Sequence, residues 1–167
     1  MALAHDLLQQ AEHLASLDGN RPKQANLRRA TSSAYYALFH LLVKDSVGRF
    51  CPRNLPELGA RIGRSFVHGE MKQVCRSIMD GKPSQALAEL VRQGFPSDLV
   101  FVARTFVLLQ EARHSADYDL AADLLRTEAL YYFQQASDAF AAWHRVRKTD
   151  EATVFLSALL FAGRWSK

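Results

Sequence analysis

The chain has 167 residues, a length that suits one domain with a buried core. Apolar residues make up 49% of it and charged residues 23%, which is ordinary for a globular protein and excludes an intrinsically disordered chain. The formal net charge of +4 predicts a mildly basic surface, which permits an anionic partner such as nucleic acid.

Helical periodicity dominates the chain, and no stretch alternates apolar and polar residues long enough to predict a strand. Clusters of Gly and Pro mark the loops between the helices. This pattern predicts an all-α fold, an antiparallel four/five-helix up-and-down bundle with an additional C-terminal helix. In chain order, the predicted helices cover about 2–17, 22–47, 58–79 (interrupted near position 68), 84–92, 98–115, 124–147 and 151–163.

Local signals refine these helices. Leu3, Leu7, Ala11 and Leu14 are predicted to form the apolar face of the first helix. The segment 116–123 is predicted to be irregular. We expect residues 1–148 to form the bundle, and residues 149–167 to form an apolar helix that packs on the bundle or on a dimer partner. The start of the second helix is predicted from an N-cap and a first-turn proline: Asn20 and Pro22.

Cysteine usage and hydropathy bear on the cellular setting. Cys51 and Cys75 form no CxxC pair, so we expect reduced thiols in a cytoplasmic protein, with one of them buried. The first 17 residues lack the blocks of a signal peptide, and the apolar stretch 152–162 is shorter than the roughly 20 residues that span a bilayer. No two of the six histidines lie three or four residues apart, so no helical metal site is predicted. The standard phosphate-binding and dinucleotide-binding motifs are absent, and no cofactor is predicted.

Two stretches carry more specific information. The first reads RRATSSAYYALFH and ends at His40, and the second reads RHSADY and runs from Arg113 to Tyr118. In this order, with a loop-rich middle between them, they resemble the HEPN superfamily of small helical-bundle proteins. The resemblance is to its bacterial branch, which has an RRAxSxAYYAxFH helix and an RxxADY turn, and it covers the chain from about residue 2 to residue 147.

The resemblance implies a bundle of four or five helices that forms a homodimer. Many members of the superfamily are metal-independent ribonucleases, and many are toxins of toxin–antitoxin pairs whose partner is a small nucleotidyltransferase. Their catalytic motif is an Arg, then four to six residues, then a His, and in the dimer two motifs face each other across a cleft. Arg113 matches the Arg of this motif, and His114 occupies the polar position after it.

The chain departs from that motif because Tyr118 stands where a His is expected. A tyrosine side chain has a reference pKa of about 10 and is a poor general base at neutral pH. RNA carries its own nucleophile, the 2′-hydroxyl, so the site needs an imidazole and a cation that stabilises the phosphorane. The histidines that could supply this imidazole are His40, His68 and His114.

The spacing around His68 also fits the family pattern. Six residues separate Arg61 from His68, although 15 Arg and 6 His in one chain produce one or two such matches by chance. Arg64 lies four residues before His68, so both side chains could face one cleft, and Arg64 is a candidate binding residue.

Arg29, Tyr36 and Asp117 complete the candidate binding residues, and structural alternatives stand beside them. Arg113 and Asp117 are four residues apart and could simply form an ion pair at a helix end. Tyr118 could be a packing residue with a bonded hydroxyl. The aromatic side chains of the first motif could belong to the core or to a dimer interface: Tyr35, Tyr36 and Phe39.

Two functions of different classes follow from these observations. The first is an HEPN-like protein that binds or cleaves RNA or a nucleotide in a toxin–antitoxin or defence system, with Arg113 on phosphate. The second is a non-catalytic helical module that pairs with a nucleotidyltransferase or another protein. In the second case Tyr118 could be a residue that such a partner modifies.

Overall fold

The computed structural model describes residues 2–161 and confirms the all-α helical bundle, with eight helices and no strand in that range. The predicted end of the last helix at 163 lies outside the described residues, as do positions 1 and 162–167 of the predicted domains. The helices are α1 Ala2–Ser16, α2 Gln24–Phe50, α3 Pro56–Arg64, α4 His68–Met79, α5 Gln85–Leu90, α6 Ser97–Tyr118, α7 Arg126–Val146 and α8 Asp150–Phe161.

The chain divides into two compact units. Unit 1 consists of Met1–Leu41 and Thr105–Ala141, and unit 2 consists of Leu42–Arg104 and Ala142–Lys167. Unit 1 therefore contains α1 and parts of α2, α6 and α7. Unit 2 contains α3, α4, α5 and α8 with the remaining parts of those three helices.

Within unit 1, the α2 and α6 segments are antiparallel. Arg28, early in α2, donates to the carbonyl oxygen of Ala116, late in α6, over 2.8 Å. Further along α2 the ring centroid of Tyr35 lies 5.6 Å from that of Phe106, earlier in α6. Residue numbers that rise along one helix while they fall along its neighbour define this antiparallel arrangement.

The α1 and α7 segments are antiparallel as well. His5 stacks edge-on against Phe140 with ring centroids 5.3 Å apart, and Arg126 donates to the carbonyl oxygen of Leu17 over 2.9 Å. The two contacts join the start of each helix to the end of the other. A buried apolar cluster packs at one end of these segments: Ala15, Leu27, Ala30, Ala116, Leu124 and Ala129.

The predicted apolar face of α1 was wrong at Leu3, while Ala11 is buried as predicted and Leu14 packs against the buried cluster. Leu3 is 56% exposed, whereas Ala4, Ala11 and Ala15 are buried. Alanine allows two helix backbones to approach closely, so the helix turns its small residues inward. The prediction included Ala11 but missed Ala4 and Ala15.

The predicted start of α2 was also wrong. Asn20 is not its N-cap and Pro22 is not in its first turn, because the helix begins two residues after that proline. Asp18, in the left-handed conformation with φ of 74°, accepts from the backbone nitrogen of Lys23 and the side chain of Asn26. These hydrogen bonds, the one from Asn26 first, lower the pKa of Asp18 below its ordinary value.

In unit 2, α8 contacts α4 and α5, and its apolar composition is explained by burial. The fully buried Trp143 donates from Nε1 to Asp45 over 2.6 Å, and its ring lies 6.2 Å from that of Phe155. Gly59 on α3 lies close to α2, because a Cβ at Gly59 would come within 3.1 Å of a methyl group of Val47. No helix among residues 2–161 is both long and apolar enough to cross a bilayer.

The boundaries of two further segments bear on the site. The predicted helix 58–79 is two helices, α3 and α4, and the interruption near His68 is confirmed. The predicted irregular segment 116–123 begins too early, because α6 continues to Tyr118. The RHSADY stretch is therefore helical and not a turn.

Candidate functional site

One face of α2 and the last turns of α6 form the arrangement we call the Arg113 site. Arg113 donates from Nη2 to the hydroxyl oxygen of Tyr36 over 2.8 Å, and its Nε lies 2.7 Å from Oδ2 of Asp117. Ser32 donates to the other carboxylate oxygen of Asp117 over 2.5 Å. Ser32 and Tyr36 are four residues apart on α2, as are Arg113 and Asp117 on α6, so helical spacing aligns both pairs.

The guanidinium of Arg113 is held firmly but is not sealed. Its side chain is 20% exposed, and the predicted ion pair with Asp117 is confirmed, although the N–H of Nε is not aligned for a hydrogen bond. The Cζ atom lies 5.4 Å from the ring centroids of both Tyr36 and Tyr118. Two aromatic rings therefore lie beside a cation whose side-chain contacts fix its orientation.

Arg113 keeps its positive charge in this environment. Partial burial by itself lowers the pKa of Arg113, but the electrostatic influence of Tyr36, Asp117 and Tyr118 outweighs burial and raises that pKa above its ordinary value. An arginine side chain has five N–H donors. Those of Nη1 make no hydrogen bond among the described residues, which leaves donor capacity for an anion.

Tyr118 is a surface residue. The packing interpretation of this side chain was wrong, because the residue is 62% exposed. His114 is exposed as well, and its ring centroid lies 5.1 Å from that of Tyr118. An imidazole, a phenol ring and a guanidinium thus come together within two turns of α6.

His40 lies one turn further along α2 from Tyr36, with their ring centroids 6.3 Å apart, and stacks edge-on against Phe39. Burial lowers its pKa below the ordinary value, so the neutral imidazole is favoured. Tyr35 and Phe39 are buried, which confirms their assignment to the core. Tyr36 is half-buried, with its hydroxyl in the Arg113 site.

Arg28 is a residue whose role the sequence did not reveal. Its guanidinium donates to the carbonyl oxygens of Ala116, Asp119 and Ala122. The first of these residues lies in the last turn of α6, and the other two lie in the loop that follows. The last carbonyl groups of a helix lack partners within the helix, and Arg28 supplies partners from α2. Arg29, the candidate binding residue beside it, is exposed. The RRA sequence alone does not indicate which of the two arginines is structural and which is exposed.

Two of the predicted residues belong to unit 2. Arg64 is the last residue of α3, where its Nε donates to the carbonyl oxygen of Ala60 over 3.3 Å, and His68 is the first residue of α4. Cys75 is fully buried and confirms the prediction of one buried thiol. Within residues 2–161, no three His, Cys, Asp or Glu side chains are grouped so that they could hold a metal ion.

Of the predicted site residues, the structure brings together Arg113, His114, Asp117, Tyr118 and Tyr36, with His40 one helical turn away. Comparison of the chain with known protein families, with curated proteins and with solved structures found no match.

Proposed function

We propose that this chain is an HEPN-like protein that binds RNA or a nucleotide at the Arg113 site. The observation that carries the proposal is the position of Arg113 beside two tyrosine rings, one of them exposed, with a charge that is maintained and with unused donors. A planar guanidinium suits two phosphate oxygens. An exposed aromatic ring beside it suits a base, since every base has a face that can stack.

The partners of Arg113 determine how such a ligand is held. Asp117 offsets much of the positive charge, so phosphate attraction alone is moderate and stacking on Tyr118 supplies much of the affinity. Tyr36 and Asp117 also fix the guanidinium before the ligand arrives, which reduces the entropy lost on binding. We therefore expect single-stranded RNA to bind better than a duplex, whose bases are already stacked.

The catalytic form of the proposal is metal-independent cleavage of RNA. The 2′-oxygen attacks the adjacent phosphorus as its proton passes to a base, and the bond to the 5′-oxygen breaks as that oxygen takes up a proton. The products are a 2′,3′-cyclic phosphate and a 5′-hydroxyl. Arg113 stabilises the charge on the phosphorane, and His114, exposed beside Tyr118, transfers the protons.

The resemblance to HEPN proteins extends this proposal to the cellular setting. The protein would act in the cytoplasm as a homodimer and as the toxin of a toxin–antitoxin or defence system, with a nucleotidyltransferase as antitoxin. Two facing copies of the Arg113 site would present two guanidinium groups to one RNA strand.

Binding and cleavage of a single-stranded RNA in EDTA test the proposal. Tyr118→Ala should weaken binding roughly tenfold, the loss expected for one stacked base, and should leave the fold intact because the side chain is exposed. Tyr131→Ala, which removes another exposed tyrosine of unit 1, serves as the matched control. Equal binding by wild type and Tyr118→Ala would contradict the stacking role.

Arg113→Gln tests the phosphate contact, and Arg21→Gln removes an exposed arginine elsewhere in unit 1 as its control. Arg113→Gln should weaken binding and abolish any cleavage, while Arg21→Gln should behave like wild type. Cleavage that survives in Arg113→Gln at the wild-type rate would exclude the catalytic form. His114→Ala should abolish cleavage and retain most of the binding.

A non-catalytic interaction module is the second candidate function, and exposed apolar side chains favour it. Leu120 is 94% exposed, Leu125 is 63% exposed and Tyr131 is 50% exposed. All three lie in unit 1, on the C-terminal side of α6. Exposed apolar side chains that form one contiguous patch mark protein-interaction sites, and this function requires that these three do so. In this function the Arg113–Asp117 pair is structural, and the nucleotidyltransferase is the proposed partner.

Co-expression with a nucleotidyltransferase encoded beside the gene distinguishes the two functions. Complex formation that is lost in Leu120→Ser and retained in Arg113→Gln supports the module. The exposed hydroxyl of Tyr118 could also accept a nucleotidyl group from a nucleoside triphosphate, with release of pyrophosphate. Intact mass would show that addition, and Tyr118→Phe would prevent it.

A further inference from the structure

Unit 2 contains a cavity of about 730 Å³ that the Arg113 site does not involve. The end of α2, the loop after it, the start of α3 and Arg147 border the cavity. Sites for small molecules typically measure about 300–1,000 Å³. The size of the cavity is therefore suited to a small organic ligand.

The cavity is strongly cationic. Lys44, Arg49, Arg53 and Arg147 line it, and Asp45 is the one carboxylate among its lining residues. The charge of Asp45 is already engaged, because the carboxylate accepts from the buried indole of Trp143 over 2.6 Å and lies 3.2 Å from Nε of Arg147. The lining therefore has an excess of positive charge.

The cations differ in how they are held. Arg49 donates to the hydroxyl of Thr153 and to the backbone carbonyl of Arg147, so its guanidinium is fixed at the rim. Lys44 and Arg53 are exposed and form no ion pair among the described residues. A fixed arginine with two unpaired cations nearby can converge on the oxygens of one phosphate.

The other part of the lining is apolar. Val47 and Leu55 contribute to it together with two prolines, and Gly59 keeps the α3 backbone close to α2. A ligand that fits must combine an anionic group with a flat or apolar part. Phosphate gives the best match to the arginine forks, and a heterocycle matches the apolar wall.

We propose that this cavity binds a phosphorylated small molecule of mononucleotide size. The phosphate lies against Arg49, Arg53 and Lys44, and the ring lies against the apolar wall. The cavity shares no residue with the Arg113 site, because every residue that lines it belongs to unit 2.

Calorimetric titration at low ionic strength tests the proposal with AMP, adenosine and inorganic phosphate as probes. The titrations use Arg113→Gln combined with Tyr118→Ala, which removes both the phosphate contact and the stacking ring proposed for unit 1. AMP should bind, and adenosine, which lacks the anion, should bind at least roughly tenfold more weakly. A lack of AMP binding, or equal affinities for AMP and adenosine, would overturn the proposal.

Variants locate the binding. Lys44→Gln combined with Arg53→Gln should weaken AMP binding by roughly tenfold or more, since two charged contacts are lost. Arg104→Gln combined with Lys82→Gln removes two exposed charges of unit 2 that do not line the cavity, and it should retain the affinity. Equal loss in both double variants would show that only net charge matters, and no cavity site would then exist.

Alkylation gives a second measurement within the same protein. Cys51 lines the cavity and is partly accessible, whereas Cys75 is fully buried and burial raises the pKa of its thiol, so Cys75 reacts little. Saturating AMP should slow alkylation of Cys51 several-fold, as measured by peptide mass spectrometry, and adenosine at the same concentration should not. An unchanged Cys51 rate with AMP bound would place the ligand elsewhere.

Discussion

Ser32 on α2 donates a 2.5 Å hydrogen bond to Asp117 on α6. The same carboxylate holds Nε of Arg113 at 2.7 Å, so a buried hydroxyl on one helix fixes the orientation of a cation on the other. Asp117 consequently has two opposing effects. It orients the guanidinium, and it neutralises part of the charge that would attract phosphate.

If the Arg113 site binds RNA as proposed, Asp117→Asn should increase the affinity for RNA. The amide retains the size of the carboxylate and removes its charge, so the site gains one positive charge, and the salt dependence of RNA binding should steepen by up to about one unit of slope. The loss of stability should stay below about 1 kcal/mol, because both partners of the ion pair are partly exposed. Fluorescence anisotropy with a labelled single-stranded RNA, over a series of salt concentrations, measures both changes.

Asp6→Asn is the control, since it removes an exposed carboxylate on α1 and changes the net charge equally. If the two variants bind RNA with the same affinity and slope, the Arg113 site does not contact phosphate. The Arg113–Asp117 pair would then have only a structural role.

Arg28→Met should destabilise the protein by about 2–3 kcal/mol. The guanidinium donates to three carbonyl oxygens around the end of α6. A charged hydrogen bond contributes about 1.5–3 kcal/mol, and we expect the three together to contribute about as much as one, because Arg28 is partly exposed and water replaces part of what is lost. Urea unfolding followed by far-ultraviolet circular dichroism gives the difference. Arg29→Met, at the adjacent exposed position, should change stability by less than about 0.5 kcal/mol, and similar losses in the two variants would contradict the assigned role of Arg28.

The helical fold could be predicted from the sequence because the spacing of apolar residues and the positions of capping residues, glycines and prolines are local signals. Ser84, for example, was expected to begin a short helix, and its hydroxyl accepts from the backbone nitrogen of Leu87 at the start of α5. The start of α2 was missed because a longer-range interaction determines it, through hydrogen bonds from Lys23 and Asn26 to Asp18. Asn20 was predicted as the N-cap because the sequence alone does not reveal these hydrogen bonds to Asp18.

The site could be predicted only where helical spacing determines a contact. The pairing of Arg113 with Asp117 follows from their separation by one turn, and the structure confirms it. The contacts of Tyr36 and Ser32 with α6 depend on how two helices pack, and periodicity within either helix does not specify that packing. The exposure of Tyr118 was missed for the same reason, since it depends on what covers the end of α6.

Stability should fall as the pH drops from 7 to 5, with His40 as one cause. Burial lowers the pKa of His40 in the folded state below its ordinary value, so the unfolded chain takes up a proton at a higher pH than the folded protein does. The free energy of unfolding is therefore unaffected by His40 above its unfolded pKa of about 6.5 and decreases below it. His40→Gln should show a smaller decrease between pH 7 and pH 5 than wild type in urea unfolding. His13→Gln, at an exposed position on α1, should match wild type, and an identical decrease in all three proteins would contradict this role of His40.

Trp143→Phe should destabilise the protein by roughly 2–4 kcal/mol through two losses that act together. The smaller ring leaves a void beside Phe155 in a fully buried site, and the indole N–H no longer donates to Asp45. Arg147 remains beside that carboxylate, so Asp45 keeps one partner and the loss stays within this range. Urea unfolding by circular dichroism measures the change, with the exposed substitution Tyr131→Phe as control. A loss below about 1 kcal/mol would show that the core of unit 2 closes around the smaller ring. In that case, AMP titration of the same variant would show whether Asp45, once released from the indole, weakens AMP binding at the cationic cavity that it borders.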